Sequence, residues 1–282
     1  MRFGASTFIW SSPLDDATAL SLARRAAGLG FDLLEVCVED PALLSAEGVR
    51  AASEEAGVSI SVCGAFGPDR DISHEDAGVR AGAAGYLREC IDLAAAVGSE
   101  SVSGPMYSAT GKARLLGPRE RERQWAWAVE GLAGCAEYAA ERDVGLAIEP
   151  LNRFETDMVN TVEQGVRMCG EIGAENVGLL LDTFHMNIEE RSIGEAIRAA
   201  GPLIRNFHTC ENDRGAPGDG HVPWPEVAAA LAAVGYDGQV VIESFTPEIE
   251  EIARAVSIWR PLPSSGDELA RDGLGFLHSL FA

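Results

Sequence analysis

The stretch Leu146-Ala147-Ile148-Glu149-Pro150-Leu151-Asn152-Arg153-Phe154-Glu155 decides the fold. An apolar run ends on a carboxylate, and a proline follows at once. Proline cannot donate to a sheet ladder, so the run reads as a buried strand that stops at Glu149. Three further runs share the design. Val177 to Leu181 ends at Asp182, Leu203 to Phe207 ends at His208, and Val240 to Ile242 ends at Glu243. Four successive strand ends therefore carry Glu149, Asp182, His208 and Glu243, and no other position on those strands is a comparable ligand. One acid at a strand end is commonly a turn former or a helix N-cap, and one His a hydrogen-bonded structural residue. The joint pattern points to a metal. Charges at the ends of apolar strands must be paired or bound, and carboxylates with one imidazole suit a hard or borderline divalent ion.

Outward from that stretch, a form recurs: helix, glycine, short apolar strand. Phe3 to Ile9 reads as the first strand, Leu14 to Leu29 as a helix ended by Gly30, and Phe31 to Val38 as the second strand. A helix from about Ser45 to Ala56 leads through Gly57 to a strand at Val58 to Cys63. Ala77 to Val97 is helical, and Ser101 to Ser103 begins the fourth strand. Helices at Arg119 to Arg142, Thr161 to Ile172, Ile193 to Ala200 and Trp224 to Val234 precede strands five to eight, the last at Gln239 to Glu243. The strands are apolar and rich in branched residues, as strands covered on both faces must be.

Eight such units predict a closed (β/α)8 barrel over residues 1–282, a single domain with a C-terminal tail helix. An open doubly wound sheet is the alternative. It lacks support because no GxGxxG follows the first strand. Its strand ends would also lie in a line, about 4.8 Å apart, rather than converge on one ion. The tail from Trp259 contains Pro261, Pro263 and a Ser-Ser-Gly turn before the helix expected to cover the barrel's outside. The longer loops, Phe66 to His74, Gly104 to Gly117, Asn152 to Asn160 and Glu211 to Pro223, all follow strands, at the face where barrel active sites form. The Gly-rich Glu211 to Gly220 segment reads equally as a surface loop or a substrate lid, with little core packing expected around Arg214.

Acidic residues number 44 against 22 basic ones, a formal charge of −22, which argues against nucleic acid or an anionic membrane as partner. No Arg or Lys cluster for a phosphate is evident. The six cysteines are dispersed without CxxC, which fits reduced thiols and a cytoplasmic location. No run reaches transmembrane length, and the first residues lead straight into a strand rather than a leader.

Glu149 and Glu243 lie three strands apart in an eight-strand ring, so their carboxylates approach the axis from different sides. That suggests two-sided proton transfer. In a metal-bound hydroxyketone the proton beside the carbonyl is acidified. One carboxylate removes it, giving a cis-enediolate, and the other returns a proton to the opposite face, which inverts that carbon. No GxSxG, CxxC or HExxH offers a nucleophile or another metal motif.

These residues also resemble a known family. Glu149-Pro-Leu-Asn-Arg-Phe-Glu155, Leu181-Asp-Thr-Phe-His-Met-Asn-Ile-Glu-Glu190, the His208 to Pro223 loop with Arg214, and Ile242-Glu-Ser-Phe245 are similar to the D-tagatose and D-allulose (D-psicose) 3-epimerases, which belong to the xylose isomerase-like barrels. The likeness runs from the first strand through Trp259-Arg260, and Asp182-Thr-Phe-His185-Met-Asn is its most specific part. The resemblance implies one divalent ion on Glu149, Asp182, His208 and Glu243, most often manganese, with cobalt or magnesium as substitutes. It implies that Glu149 and Glu243 are the acid–base pair. Glu155, His185 and Arg214 match positions that hold the ketose near its carbonyl. It also implies a homodimer or homotetramer acting on free ketoses such as D-fructose/D-allulose or D-tagatose/D-sorbose. Without it, His185 reads as a residue behind the ligands and Glu155 as a partner of Arg153. Phe8, Trp10, Cys63, Phe66, Met106 and Tyr107 are candidates for the wall around the distal carbons, against a plain core role. The Gly104-Pro-Met-Tyr-Ser108 segment departs from the tagatose enzymes and resembles other ketose epimerases, so the preferred sugar stays open. The competing functions are a hydroxypyruvate-type or aldose–ketose isomerase and a non-catalytic sugar-binding barrel.

Overall fold

The structure is a computed structural model that describes residues 1–245, 248–260, 262 and 265–282. Pro261, Pro263 and the first serine of the Ser-Ser-Gly turn lie outside the described residues. Eight parallel strands pair in chain order: β1 Arg2–Ser6, β2 Leu33–Val38, β3 Ser59–Gly64, β4 Ser101–Gly104, β5 Gly145–Ile148, β6 Val177–Asp182, β7 Ile204–Thr209 and β8 Gln239–Ile242. β8 pairs with β1, so the sheet closes, as the (β/α)8 reading requires.

The helices are α1 Asp16–Leu29, α2 Ala46–Ala56, α3 Ala77–Val97, α4 Pro118–Ala140, α5 Val162–Ile172, α6 Thr183–Glu189, α7 Ile193–Ala200, α8 Trp224–Ala233, α9 Glu250–Ala255 and α10 Gly266–Leu280. Side-chain caps start most of them. Asp15 accepts from Thr18 N–H, Ser45 from Gly48 N–H, and Thr161 forms a reciprocal capping box with Gln164. The glycines after α1, α2, α3 and α5 adopt left-handed backbone that ends each helix and turns the chain toward the next strand. Strand residues alternate between two buried layers. Leu34, Val36 and Val38 pack outward with the helices, while Leu33, Glu35 and Cys37 take the other face, toward the barrel interior. The tail helix α10 packs on the outside against α1, α8 and β8.

Several sequence boundaries shift for local reasons. The first strand ends at Ser6 rather than Ile9, because the Ser6 hydroxyl caps a single 3-10 turn, Thr7–Ile9. α1 starts at Asp16 rather than Leu14, behind its Asp15 cap. α4 ends at Ala140 rather than Arg142. The seven-residue helix α6 was not foreseen. Asp182 Oδ1 accepts from Phe184 N–H at 2.7 Å and so starts a helix directly on the end of β6.

Candidate metal and substrate site

A register irregularity between Leu179 and Leu180 sets β6 so that Asp182 lies beside His208 of β7. Glu149 and Glu243 each stand one residue past their strand and extend the ladder. Glu149 N–H donates to Gly104 O at 3.1 Å and Glu243 N–H to Thr209 O at 3.2 Å. From these four strand ends, one ligand atom each of Glu149, Asp182, His208 and Glu243 falls within 4.8 Å of the others, and all four side chains are buried.

Electrostatics at this cluster are unbalanced. Burial, and then the Glu243 charge, push the Glu149 carboxyl well above the usual carboxylate range. Burial acts the same way on Glu243, but His208 and Arg214 outweigh it and lower the group to about 2. Burial opposes charge on His208, yet the carboxylates of Glu35 and Glu243 raise it well above the usual imidazole value. Three carboxylates (Glu149, Asp182, Glu243) surround one guanidinium, Arg214, and one imidazole, His208. His208 Nδ1 is buried, has no hydrogen-bond partner, and lies 3.5 Å from Glu243 Oε1. Three buried carboxylates around an imidazole nitrogen that has no hydrogen-bond partner fit a divalent cation.

Arg214 is not the loosely packed loop residue expected from its neighbours. It is 3% exposed. Its Nη1 donates to Asp182 Oδ2 at 2.6 Å and to Glu243 Oε2 at 2.8 Å, and its guanidinium lies between the rings of Phe184 and Phe245, 4.1 and 5.1 Å from their centres. The loop that carries it is pinned from below. Buried Glu211 accepts from Trp224 Nε1 at 2.6 Å, Gly218 N–H at 2.9 Å and Val222 N–H at 3.1 Å.

His185 sits on the first turn of α6, beside the cluster. Its Nδ1 accepts from Asn152 N–H at 3.0 Å, which leaves the proton of the neutral ring on Nε2. Burial lowers its pKa to about 3, so the ring is neutral. Nε2 lies 3.6 Å from Glu149 Oε1 and 3.1 Å from Arg214 Nη2. Glu155 does not pair with Arg153, which binds Glu189 instead at 2.9 Å. Glu155 Oε1 accepts from Asn152 Nδ2 at 2.7 Å, and burial raises its pKa. Asn152 therefore orients both Glu155 and His185, a role its place in the Glu149 to Glu155 motif could have suggested.

In amino-acid sequence, a Xylose isomerase-like TIM barrel family model matches residues 23–280. A D-psicose 3-epimerase of Agrobacterium fabrum is 35% identical over 263 residues, 90% of each chain. An L-ribulose 3-epimerase of Mesorhizobium japonicum is 33% identical, covering 98% of this chain and 93% of its own. The chain belongs to the ketose 3-epimerase family of xylose isomerase-like TIM barrels. Among solved structures, a D-allulose 3-epimerase from Methylomonas sp. in complex with D-allulose superposes with a TM-score of 0.93 at 29% identity, over 99% of this chain and 96% of that one. The family places the chain among isomerase-class carbohydrate epimerases, as its motifs implied.

Within this epimerase barrel the wall candidates divide. Phe8 lies against Phe245, ring centres 5.4 Å apart, next to Arg214. Cys63 is buried and feels the charge of Glu149. Buried Tyr107 donates to Val159 O at 3.1 Å and is also influenced by Glu149 and Glu155. Trp10 instead donates to Asp267 at the start of α10, 3.0 Å away, and Arg25 of α1 stands over its ring, so it belongs with the helix layer. Phe66 packs on Tyr86 of α3, and Phe66, Met106 and Tyr107 are all buried in the main core. All six cysteines are free and buried. Among the described residues, no helix is long and apolar enough to cross a membrane.

The residue missed by the sequence reading is Glu35, wholly buried on β2, with Oε1 2.9 Å from His208 Nε2. Its signal was available, as the one charge inside Leu33-Leu34-Glu35-Val36-Cys37-Val38. It also groups with Cys37 and Cys63 within 4.8 Å, but its oxygens already face His208 and Asn206.

Proposed function

We propose that this chain is a divalent-metal-dependent ketose 3-epimerase that inverts C3 of free ketoses. The observation that carries the reading is the convergence of Glu149, Asp182, His208 and Glu243 within 4.8 Å, with two glutamates arriving from β5 and β8. Those four residues would hold the ion, manganese by preference, with cobalt or magnesium as substitutes. Such an ion supplies Lewis-acid polarisation of the substrate carbonyl, which acidifies the neighbouring C–H.

The chain's own groups do the rest. One of Glu149 and Glu243 takes the C3 proton from one face of the sugar, leaving an enediolate. The other delivers a proton to C3 from the opposite face, and the roles exchange for the reverse reaction. His185 Nε2–H and the Arg214 guanidinium donate to oxygens near C1 and C2, and Glu155 accepts from a hydroxyl. Phe8 and Cys63 border the distal carbons. The chain acts as one domain, in the cytoplasm, as a homodimer or homotetramer.

The test is an assay of manganese-loaded protein across ketohexoses and ketopentoses, in heavy water, with products separated by chromatography. Epimeric ketoses with deuterium at C3 support the proposal. Aldose products with deuterium at C2 replace it with an aldose–ketose isomerase, and sugar binding without turnover replaces it with a non-catalytic barrel.

A further inference from the structure

We infer that Glu35 is a positioning residue for the cation site. It keeps the His208 proton on Nε2, so that Nδ1 turns its lone pair to the ion. The inference rests on the proposed metal role of His208.

β2 and β7 stand three strands apart in the ring, so Glu35 reaches across the barrel interior to meet His208. Its Oε1 lies 2.9 Å from Nε2, an ion-pair distance, and has no hydrogen-bond partner of its own. Its Oε2 accepts from Asn206 Nδ2 at 2.9 Å and from Ser61 Oγ at 3.4 Å. Asn206 is itself locked. Its Oδ1 accepts from Phe207 N–H at 2.8 Å, which turns the amide NH2 inward, where it also reaches Ser103 Oγ at 3.1 Å and stands 3.4 Å from His208 Nε2, farther than Glu35 Oε1. Glu35 is thus held by donors from β3 and β7, and its remaining oxygen faces one ring nitrogen.

The opposite nitrogen, Nδ1, is the buried atom without a partner beside Glu243. Which nitrogen of a neutral imidazole carries the proton is set by the partner of the other. A carboxylate at Nε2 selects the Nε2–H form. A wholly buried carboxylate is a poor choice for stability alone, because apolar side chains of similar size fill a barrel interior at lower cost. Its place against a metal-binding imidazole gives it a reason to be there. Partners of this kind change metal affinity by about 10–100-fold.

The experiment compares the unsubstituted chain with Glu35→Gln and Glu35→Ala by calorimetric titration with Mn2+, alongside thermal melting. Glu35→Gln keeps the shape and removes the charge. Folded variants that bind Mn2+ about 10–100-fold more weakly support the inference. Equal Mn2+ affinity in the unsubstituted chain and in both variants overturns it, while the metal reading stands. No Mn2+ binding by the unsubstituted chain removes the metal reading and this one together. If neither variant folds, 15N spectra of the histidines in the unsubstituted, Mg2+-loaded chain decide. A proton on Nε2 of His208 with Nδ1 bound supports the role of Glu35, and the reverse assignment overturns it.

Discussion

Arg214→Met tests the charge balance of the site most directly. Methionine keeps much of the arginine stem's bulk and can rest between Phe184 and Phe245, so the packing changes little. Arg214 has a left-handed backbone, φ 69°. Methionine bears the same backbone penalty as arginine, so strain cancels in the comparison. What changes is charge. Asp182 and Glu243 lose a donor at 2.6 and 2.8 Å in a site that already holds three carboxylates. Removing one partner of a buried ion pair costs about 3–5 kcal/mol. Near this chain length 1 kcal/mol moves the melting temperature by about 2–4 °C, so the loss in chelator is roughly 6–20 °C. A divalent ion on the same carboxylates supplies the missing positive charge, and by linkage it stabilises the variant at least as much as the parent. Excess Mn2+ should therefore shrink the melting difference by about half or more. Thermal scans of both proteins, each with chelator and with Mn2+, measure this. The same melting loss under both conditions refutes the argument that Arg214 and the ion answer the same negative charge. Turnover should fall even in the stabilised variant, because a donor to the substrate is gone.

Other expectations follow from the same geometry. Chelation should abolish turnover and Mn2+ should restore it; full activity in protein shown to be metal-free by elemental analysis sinks the metal reading. Asp182→Asn and His208→Ala should each weaken Mn2+ binding by at least about 10-fold, read by titration calorimetry, since each removes more than an outer partner would. Glu149→Gln and Glu243→Gln should each stop epimerisation, because an amide is no base at neutral pH. Residual exchange of the C3 proton of one epimer in heavy water marks the surviving glutamate, and normal turnover by either variant with its metal bound ends the two-carboxylate mechanism. Glu211→Ala should lower the melting temperature, since it strands the Trp224, Gly218 and Val222 donors at about 1–3 kcal/mol for each that stays unpaired. An unchanged melt would mean that water or other groups satisfy all three.

The barrel was legible because its strands are short, apolar and bounded by capping glycines, and because Pro150 marks the end of β5. The metal cluster was legible for a related reason. Along apolar strands, one ionisable residue at each end stands out. Legibility failed where a residue's meaning depends on what lies across the barrel. Glu35 is ionisable within an apolar strand too, but it sits mid-strand, and its partner His208 is 173 positions away in the chain. Arg214 misled for the opposite reason. Its neighbours Asp213, Gly215 and Gly218 describe a surface loop, and nothing local reveals that Glu211 pins the loop or that two aromatic rings close on the guanidinium. Helix α6 was hidden because Asp182 serves both as a strand end and as an N-cap, and the strand claimed it first.

Charge also bears on the proposed substrate class. A sugar phosphate would bring further negative charge to a mouth that already holds three carboxylates, and would need a free cation to meet it. Several basic residues on the surrounding loops are committed. Arg70 donates to Ala65 O and Glu39 O, Lys112 to Asp71 and Ser73, Arg114 to Asp157 and Gln124, and Arg153 to Glu189. Arg214 is held by Asp182 and Glu243. Freeing any of them for a phosphate would leave a carboxylate or carbonyl behind without its donor. The Lys112–Asp71 pair is largely buried, so breaking it would be the more costly. A neutral ketose asks for none of this. Its hydroxyls can exchange hydrogen bonds with Glu155, His185 and Arg214, and the three carboxylates are left for the divalent ion to balance.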